Sequence, residues 1–259
     1  MNFDRAADIY DATRGLPPGI PEQIAGRIEE IVNAGPETRF LEMGVGTGRI
    51  ALPLIARGYP YVGVDISHRM LERLKAKAGG APNLTVIEGS ITDLPLPDDS
   101  VDVVLVIHVF HLFPEWRTAL DEALRVLRPG GHFLWGGNDR APEDPGTQIR
   151  RTWSAAVRDL GANLRARYGD WEAISAEVTA RGGYTAMYEV ARWQGELVPA
   201  EVMETIRSGA FSASWDQPRE VMEEAHRRVT AWGEGYYGDL TAPQVSSESF
   251  TIFAARFPG

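Results

Sequence analysis

The sequence contains no cysteine. Disulfides, thiolate metal sites, iron–sulfur clusters and cysteine nucleophiles are thereby excluded together. It also has no hydrophobic run long enough for a membrane. The most apolar stretch, residues 101–113, is interrupted by Asp102, His108 and His111, and it falls well short of the ~20 residues that span a bilayer. The opening residues, MNFDRAADIYDATRG, have no apolar segment of the signal-peptide kind. Basic residues are in the minority, 26 Lys and Arg against 36 Asp and Glu. The resulting formal charge of −10 repels phosphate backbones and argues against nonspecific nucleic-acid binding. No spacing of His, Asp and Glu suggests a metal site. These absences predict a cytoplasmic protein with no metal, no membrane and no nucleic-acid partner. Apolar residues are plentiful, 44% of 259, enough for one sizeable domain core.

The first half alternates strand and helix signals. Residues 39–43 (RFLEM) read as a short strand ending in glycines, and 48–57 as a helix that Pro53 should kink or shorten. Residues 61–65 (YVGVD) and 84–88 (LTVIE) read as strands. Ser67 suits the N-cap of a helix over 69–78. The β-branched run 101–107 reads as a strand buried on both faces. A helix over 115–127 follows, stopped by Pro129-Gly130-Gly131, and then a strand over 132–136. In the second half, helices are predicted over 147–168, 171–181, 199–208 and 219–236, with strands within 185–198 and over 249–257. The late tryptophans Trp153, Trp171, Trp193, Trp215 and Trp232 read as core residues before they read as a substrate cage. Strands alternating with helices imply a mainly parallel sheet, whose ligands sit beyond the carboxyl ends of the strands.

The strongest chemical signal is Glu42-Met43-Gly44-Val45-Gly46-Thr47-Gly48, a strand running into a glycine turn and then a helix. Glycines permit positive φ and close backbone approach to a ligand. A dinucleotide fingerprint would need its third glycine at residue 49, which is Arg49. An acid before the turn would repel a pyrophosphate but suits a ligand carrying an ammonium group. Asp65 ends the second strand, 17 residues after Gly48. A carboxylate there can accept hydrogen bonds from both hydroxyls of a ribose.

Four ordered segments carry a resemblance: LEMGVGTG, VGVDIS with Met70, EGSITDLPLPDDSVDVV, and the helix ending RVLRPGG. Together they resemble the class I S-adenosylmethionine-dependent methyltransferases, and within these the small-molecule "type 11" branch. The resemblance implies a Rossmann-like α/β fold. Its sheet is seven-stranded and mostly parallel with an antiparallel last strand, helices cover both faces, and helical lid insertions are added. It implies one methyltransferase domain over 1–259, with an N-terminal helical lid (1–34), a cofactor-binding core (35–137), substrate-lid insertions (138–183 and 199–240) and closing strands (184–198 and 245–258). It implies S-adenosyl-L-methionine as cofactor, S-adenosyl-L-homocysteine as product and a small molecule as substrate; oligomeric state is left open. Glu42, Gly44, Gly46 and Gly48 would hold the methionine part, Asp65 the ribose, and Ile66 and Met70 the faces of the adenine. Ser90 and Ile91 would meet the adenine edge. Ser90 stands where the family often has Asp, leaving a neutral hydroxyl that still accepts one hydrogen bond. Ile9 to Arg14 resembles the Y-D-x-x-R lead-in of the branch, so Tyr10 and Arg14 would approach the methionine carboxylate; a simple surface-helix cap is the competing reading.

Methyl transfer from a sulfonium is an in-line displacement, which an enzyme serves chiefly by alignment. A general base is needed only for an acceptor that binds protonated. His111, just past the fourth strand, is the candidate base or substrate-orienting residue, with a packed histidine as the alternative. His108 is expected to line the cofactor rather than to act in catalysis, with a structural histidine as the alternative, and Asn138 and Asp139 are secondary rim candidates. Other function classes remain in play: a nicotinamide-dependent oxidoreductase, to which Asp65 is equally suited, and a non-catalytic S-adenosylmethionine binder. A base-methylating enzyme is disfavoured, because His108-Val109-Phe110-His111 replaces Asp/Asn-Pro-Pro-Tyr and no cysteine is present.

Overall fold

The computed structural model describes residues 11, 15–164, 168–208 and 217–257. Helix α1 (Ile20–Val32) precedes β1 (Phe40–Met43), α2 (Ala51–Ala56), β2 (Tyr61–Asp65), α3 (His68–Ala78), β3 (Leu84–Glu88) and β4 (Val101–Ile107). A 3₁₀ turn (Phe110–Leu112), α4 (Trp116–Val126) and β5 (Leu127–Arg140) follow. The remainder is α5 (Pro145–Asp159), α6 (Trp171–Ala180), β6 (Tyr184–Leu197), α7 (Pro199–Arg207), α8 (Arg219–Tyr237) and β7 (Gln244–Arg256). The strands form one seven-stranded sheet in the order β3-β2-β1-β4-β5-β7-β6. The pairs β1–β2, β1–β4, β2–β3 and β4–β5 are parallel, and the last strands are antiparallel. The order reverses between β1 and β4, the crevice where open α/β sheets bind ligands. All four residues of β1 are buried, as expected of a central strand covered on both faces.

The described residues fall into two compact units, one within residues 1–137, 167–191 and 250–259 and the other within residues 138–166 and 192–249. In the first, Leu41, Met43, Val104, Val106, Phe133 and Trp135 from the sheet form the core with Trp116, Leu120, Ile174 and Val178 from α4 and α6. The segment 138–183, read from sequence as a single insertion, thus divides between the units. In the second unit, α5, α7 and α8 enclose Ile149, Trp153, Val157, Met203, Ile206, Ala225 and Val229.

Several boundaries moved for identifiable reasons. Helix α2 starts at Ala51, since residues 48–50 are used in the turn. Pro53 then lies in the first turn, where its missing N–H has no helical acceptor to lose. Helix α4 passes directly into β5 without a loop. Val101 pairs with Leu127 and Val103 with His132, so Pro129-Gly130 bulges out inside the strand and Gly130 takes φ 78°. Helix α5 stops at Asp159 because Gly161 (φ 74°) closes it in the left-handed region. Residues 160–168 are therefore not helical where described.

Candidate functional site

The glycine turn leaves β1 and doubles back under β2. The Gly44 and Val45 amides both donate to the Val64 carbonyl (2.7 and 3.1 Å), and the Gly48 amide donates to the Val45 carbonyl (3.0 Å). All three glycines have positive φ: 78° at Gly44, 54° at Gly46 and 86° at Gly48. Their surroundings differ. A Cβ on Gly44 would fall 2.5 Å from Val109 Cγ2, and one on Gly48 would fall 2.4 Å from Leu74 Cδ1. Among the described residues, a Cβ on Gly46 would meet nothing within 4 Å. Gly44 and Gly48 are glycine because protein presses on them, whereas Gly46 exposes bare backbone to open space. Gly63, only a strand residue in the sequence alone, lets β2 lie against the turn, since a Cβ there would be 2.9 Å from Val45 Cγ1.

Asp65 joins the turn to the end of β2. Its Oδ2 accepts from the Gly46 amide and its Oδ1 from the Ser67 amide, each at 2.9 Å. Ser67 caps α3 as predicted, its hydroxyl accepting from the Met70 amide at 3.2 Å. The carboxylate is thereby fixed beside the Gly46 backbone. Ile66, next along, is 51% exposed, an uncommon position for a large apolar side chain, whereas Met70 is 2% exposed and belongs to the interior. Ser90 is exposed after β3. Its hydroxyl lies 2.7 Å from that of Thr92 and accepts from the Thr92 amide at 3.2 Å. Ile91 is half-buried and packs against the core.

Glu42 is buried, 3% exposed. Its Oε2 accepts from the Tyr61 hydroxyl at 2.8 Å. Burial pushes the Glu42 carboxyl up to about 8; the Tyr61 hydrogen bond and the Arg49 charge pull the other way, and Asp65 adds to the rise. Burial and the adjacent Glu42 push the Tyr61 phenol well above its ordinary range. In the sequence alone, Tyr61 reads only as a strand residue. The available signal was register: Glu42 pairs with Gly63, so Tyr61, two residues earlier, shares its face.

Asp11 is a second residue whose role was not foreseen, although it lies in the quoted lead-in. It accepts from the Thr47 hydroxyl at 2.6 Å and pairs with Lys77 Nζ at 2.6 Å. Burial raises its carboxyl, but Lys77 and Thr47 outweigh that and hold it below the usual range. Lys77 also donates to the Thr47 carbonyl at 3.2 Å. Tyr10 and Arg14 lie outside the described residues.

Beyond β4, His108 takes φ 59° and its amide donates to the Gly136 carbonyl at 3.2 Å. Its ring lies so close to Gly137 that a Cβ there would be 2.2 Å from Cε1. The rings of His108 and His111 are nearly perpendicular with centroids 6.5 Å apart. His111 sits half-buried in the 3₁₀ turn, and its carbonyl accepts from the Tyr168 amide at 3.3 Å. Tyr168 is thus brought beside His111, a neighbour hidden by the overlong helix expected there. In the second unit, Asn138 Nδ2 donates to Glu248 at 3.2 Å, and Asp139 is exposed with its carboxylate on the Arg140 amide. Among the described residues, no group of three His, Asp or Glu is placed to hold a metal ion, and no helix is long and apolar enough to cross a membrane.

A mostly parallel sheet thus places an acid, a glycine turn and a second carboxylate at its switch point, the crevice where open α/β sheets bind ligands. Residues 41–135 match the family described as "Methyltransferase domain". An uncharacterized methyltransferase of Mycobacterium tuberculosis is 30% identical over 232 residues, covering 88% of this chain and 84% of its own. A malonyl-[acyl-carrier protein] O-methyltransferase of Methylococcus capsulatus is 30% identical over 228 residues, covering 86% and 79%. The crystal structure of the YcgJ protein of Bacillus subtilis superposes with TM-score 0.60 over 91% of this chain and 98% of that one, at 22% identity. The chain belongs to the class I S-adenosylmethionine-dependent methyltransferases, in their type 11 branch. It is an S-adenosylmethionine-dependent methyltransferase, and the donor set fits that cofactor: a buried acid for an ammonium, an exposed backbone at Gly46 and a braced Asp65 carboxylate.

Proposed function

We propose that this enzyme methylates a small molecule and that residues 42–48, 65–70, 90–91 and 108–111 form its reaction site. The carrying observation is the pairing of bare backbone at Gly46 with the Asp65 carboxylate, 2.9 Å apart through the Gly46 amide. In this reading Asp65 accepts from the ribose hydroxyls, Glu42 receives the methionine ammonium, and exposed Ile66 covers one adenine face while buried Met70 backs that wall. Ser90 and Ile91 meet the adenine edge, and His108 lines the cofactor. Tyr10 and Arg14 are assigned the methionine carboxylate, an assignment that rests on resemblance alone.

The cofactor supplies an activated methyl group, and the protein supplies alignment, worth ~7–11 kcal/mol in well-oriented reactions. His111 is the residue assigned to the acceptor. An imidazole suits either task there, removing a proton as the methyl group arrives or holding the acceptor by a hydrogen bond. The Methylococcus relative is named for O-methylation of a malonyl group on acyl-carrier protein, which supports a small acyl group, free or carrier-bound, as the part methylated. Calorimetry with S-adenosylhomocysteine and with NADH tests the cofactor site; heat with NADH alone overturns it. Formation of S-adenosylhomocysteine with a mixture of small acids, amines and phenols tests the acceptor class. Turnover confined to nucleic acid or to the side chains of proteins would refute the small-molecule reading.

A further inference from the structure

Glu42 and Tyr61 form a closed pair at the back of the cofactor site, 3% and 1% exposed, joined by one 2.8 Å hydrogen bond. A buried carboxylate is costly unless several donors or an opposite charge compensate it. Among the described residues, three charged or titratable groups bear on Glu42. Tyr61 from β2 donates one hydrogen bond, Arg49 beyond the turn favours the anion, and Asp65 at the end of β2 opposes it. The neutral acid is therefore the form that the unliganded site prefers. The tyrosine does not compete for this proton, since burial and Glu42 both hold its hydroxyl protonated. It remains the donor, and the carboxyl remains the acceptor, throughout the accessible pH range.

We infer that Tyr61 is a positioning residue for the cofactor: its hydroxyl holds the Glu42 carboxyl ready, and arrival of the methionine ammonium drives the Glu42 proton into solvent. The inference rests on the assignment of that ammonium to Glu42. In the step, the Glu42 O–H bond breaks, its proton goes to buffer, and the carboxylate keeps the electron pair and faces the incoming cation. Nothing is oxidised or reduced. Tyr61 keeps its own proton and stabilises the anion that forms, because hydrogen bonds to charged groups are roughly twice as strong as neutral ones. Cofactor binding is thereby linked to pH through a residue that does not itself touch the reacting methyl group. Phe40 stacks on the Tyr61 ring at 6.0 Å, so a phenylalanine at position 61 preserves the packing while deleting the hydroxyl.

The test is calorimetry of S-adenosylhomocysteine binding to the full chain at about pH 7, in phosphate and in Tris, whose protonation heats differ. The wild type is expected to release most of one proton, and its affinity to strengthen by up to about tenfold per pH unit between roughly pH 6 and 8. Tyr61→Phe should weaken binding by about tenfold or more at neutral pH, from a charged hydrogen bond of ~1.5–3 kcal/mol, and move the pH profile upward. Glu42→Gln should bind with no proton release and no such pH dependence. A wild-type heat independent of buffer overturns the inference. A Tyr61→Phe protein with wild-type affinity and profile overturns the role of Tyr61. Wild-type affinity in Glu42→Gln instead unseats the assignment of Glu42 to the ammonium, and failure of the wild type to bind unseats the cofactor site as a whole. Thermal unfolding of each variant separates a folding defect from a lost proton link.

Discussion

Asp65 carries more than the ligand contact proposed for it. Its two oxygens already brace the Gly46 and Ser67 amides, so the residue sets the turn against the start of α3 before any ribose arrives. Asp65→Ala should weaken S-adenosylhomocysteine affinity by ~2 kcal/mol or more, through lost ribose bonds and two released backbone donors. Asp65→Asn keeps one acceptor oxygen and should lose less. Calorimetry on both variants checks the order; equal affinities for Ala and wild type would mean that the ribose lies elsewhere. At His111 the prediction concerns rate. His111→Ala should lower turnover by the 10²–10⁴-fold that general acid–base groups contribute, and leave S-adenosylhomocysteine affinity nearly unchanged. A variant with the wild-type rate at every pH would leave His111 a packing residue on the 3₁₀ turn.

Among the elements, the strand–turn–helix around β1 separates two uses of glycine. Gly44→Ala meets both a φ of 78° and the Val109 side chain at 2.5 Å, so it should cost stability, by ~1–3 kcal/mol for overpacking plus ~1 kcal/mol for the left-handed backbone. Gly46→Ala has only the backbone cost and open space around it. It should melt close to the wild type yet bind S-adenosylhomocysteine much more weakly. Thermal melts set beside binding isotherms for the two variants test the distinction, and the reverse pattern would contradict it. How much of this could be read beforehand follows from the same elements. β2, β3 and β4 were legible to the residue, because β-branched runs bounded by glycine, proline or acid have one reading. Ser67 and the α3 start were legible because capping is local chemistry. What escaped needed pairing across the chain. The Pro129-Gly130 bulge depends on β4 register. The Tyr61–Glu42 bond depends on which residues of β1 and β2 share a face. The Asp11–Lys77 pair joins residues far apart in sequence. None of these leaves a periodic trace.

For the molecule as a whole, Glu42 couples stability to pH in an unusual direction. Most shifted carboxyls here are lowered: Glu122 by Arg125, Glu177 by Arg117 and Arg181, and Asp11 against its burial by Lys77 and Thr47. Their stabilisation is present above the unfolded value and is lost as pH falls into the acid range. Glu42 is the opposite case. Its folded value, about 8, lies above the ordinary 4.5, so between these values the folded chain binds more protons than the unfolded one. Its contribution is full below about pH 4.5 and drains away as pH rises towards 8, with a slope of up to ~1.4 kcal/mol per pH unit. The two tendencies place the stability maximum on the acid side of neutrality, and the growing negative charge of an already acidic chain adds to the decline above it. Thermal midpoints across pH 5 to 9 should therefore fall from weakly acid to alkaline conditions in the wild type and fall much less in Glu42→Gln. Saturating S-adenosylhomocysteine should flatten the wild-type decline, since a ligand that prefers the ionised carboxyl stabilises most where the proton is already gone. Wild-type and Glu42→Gln curves of the same shape would show that the buried acid does not govern this titration.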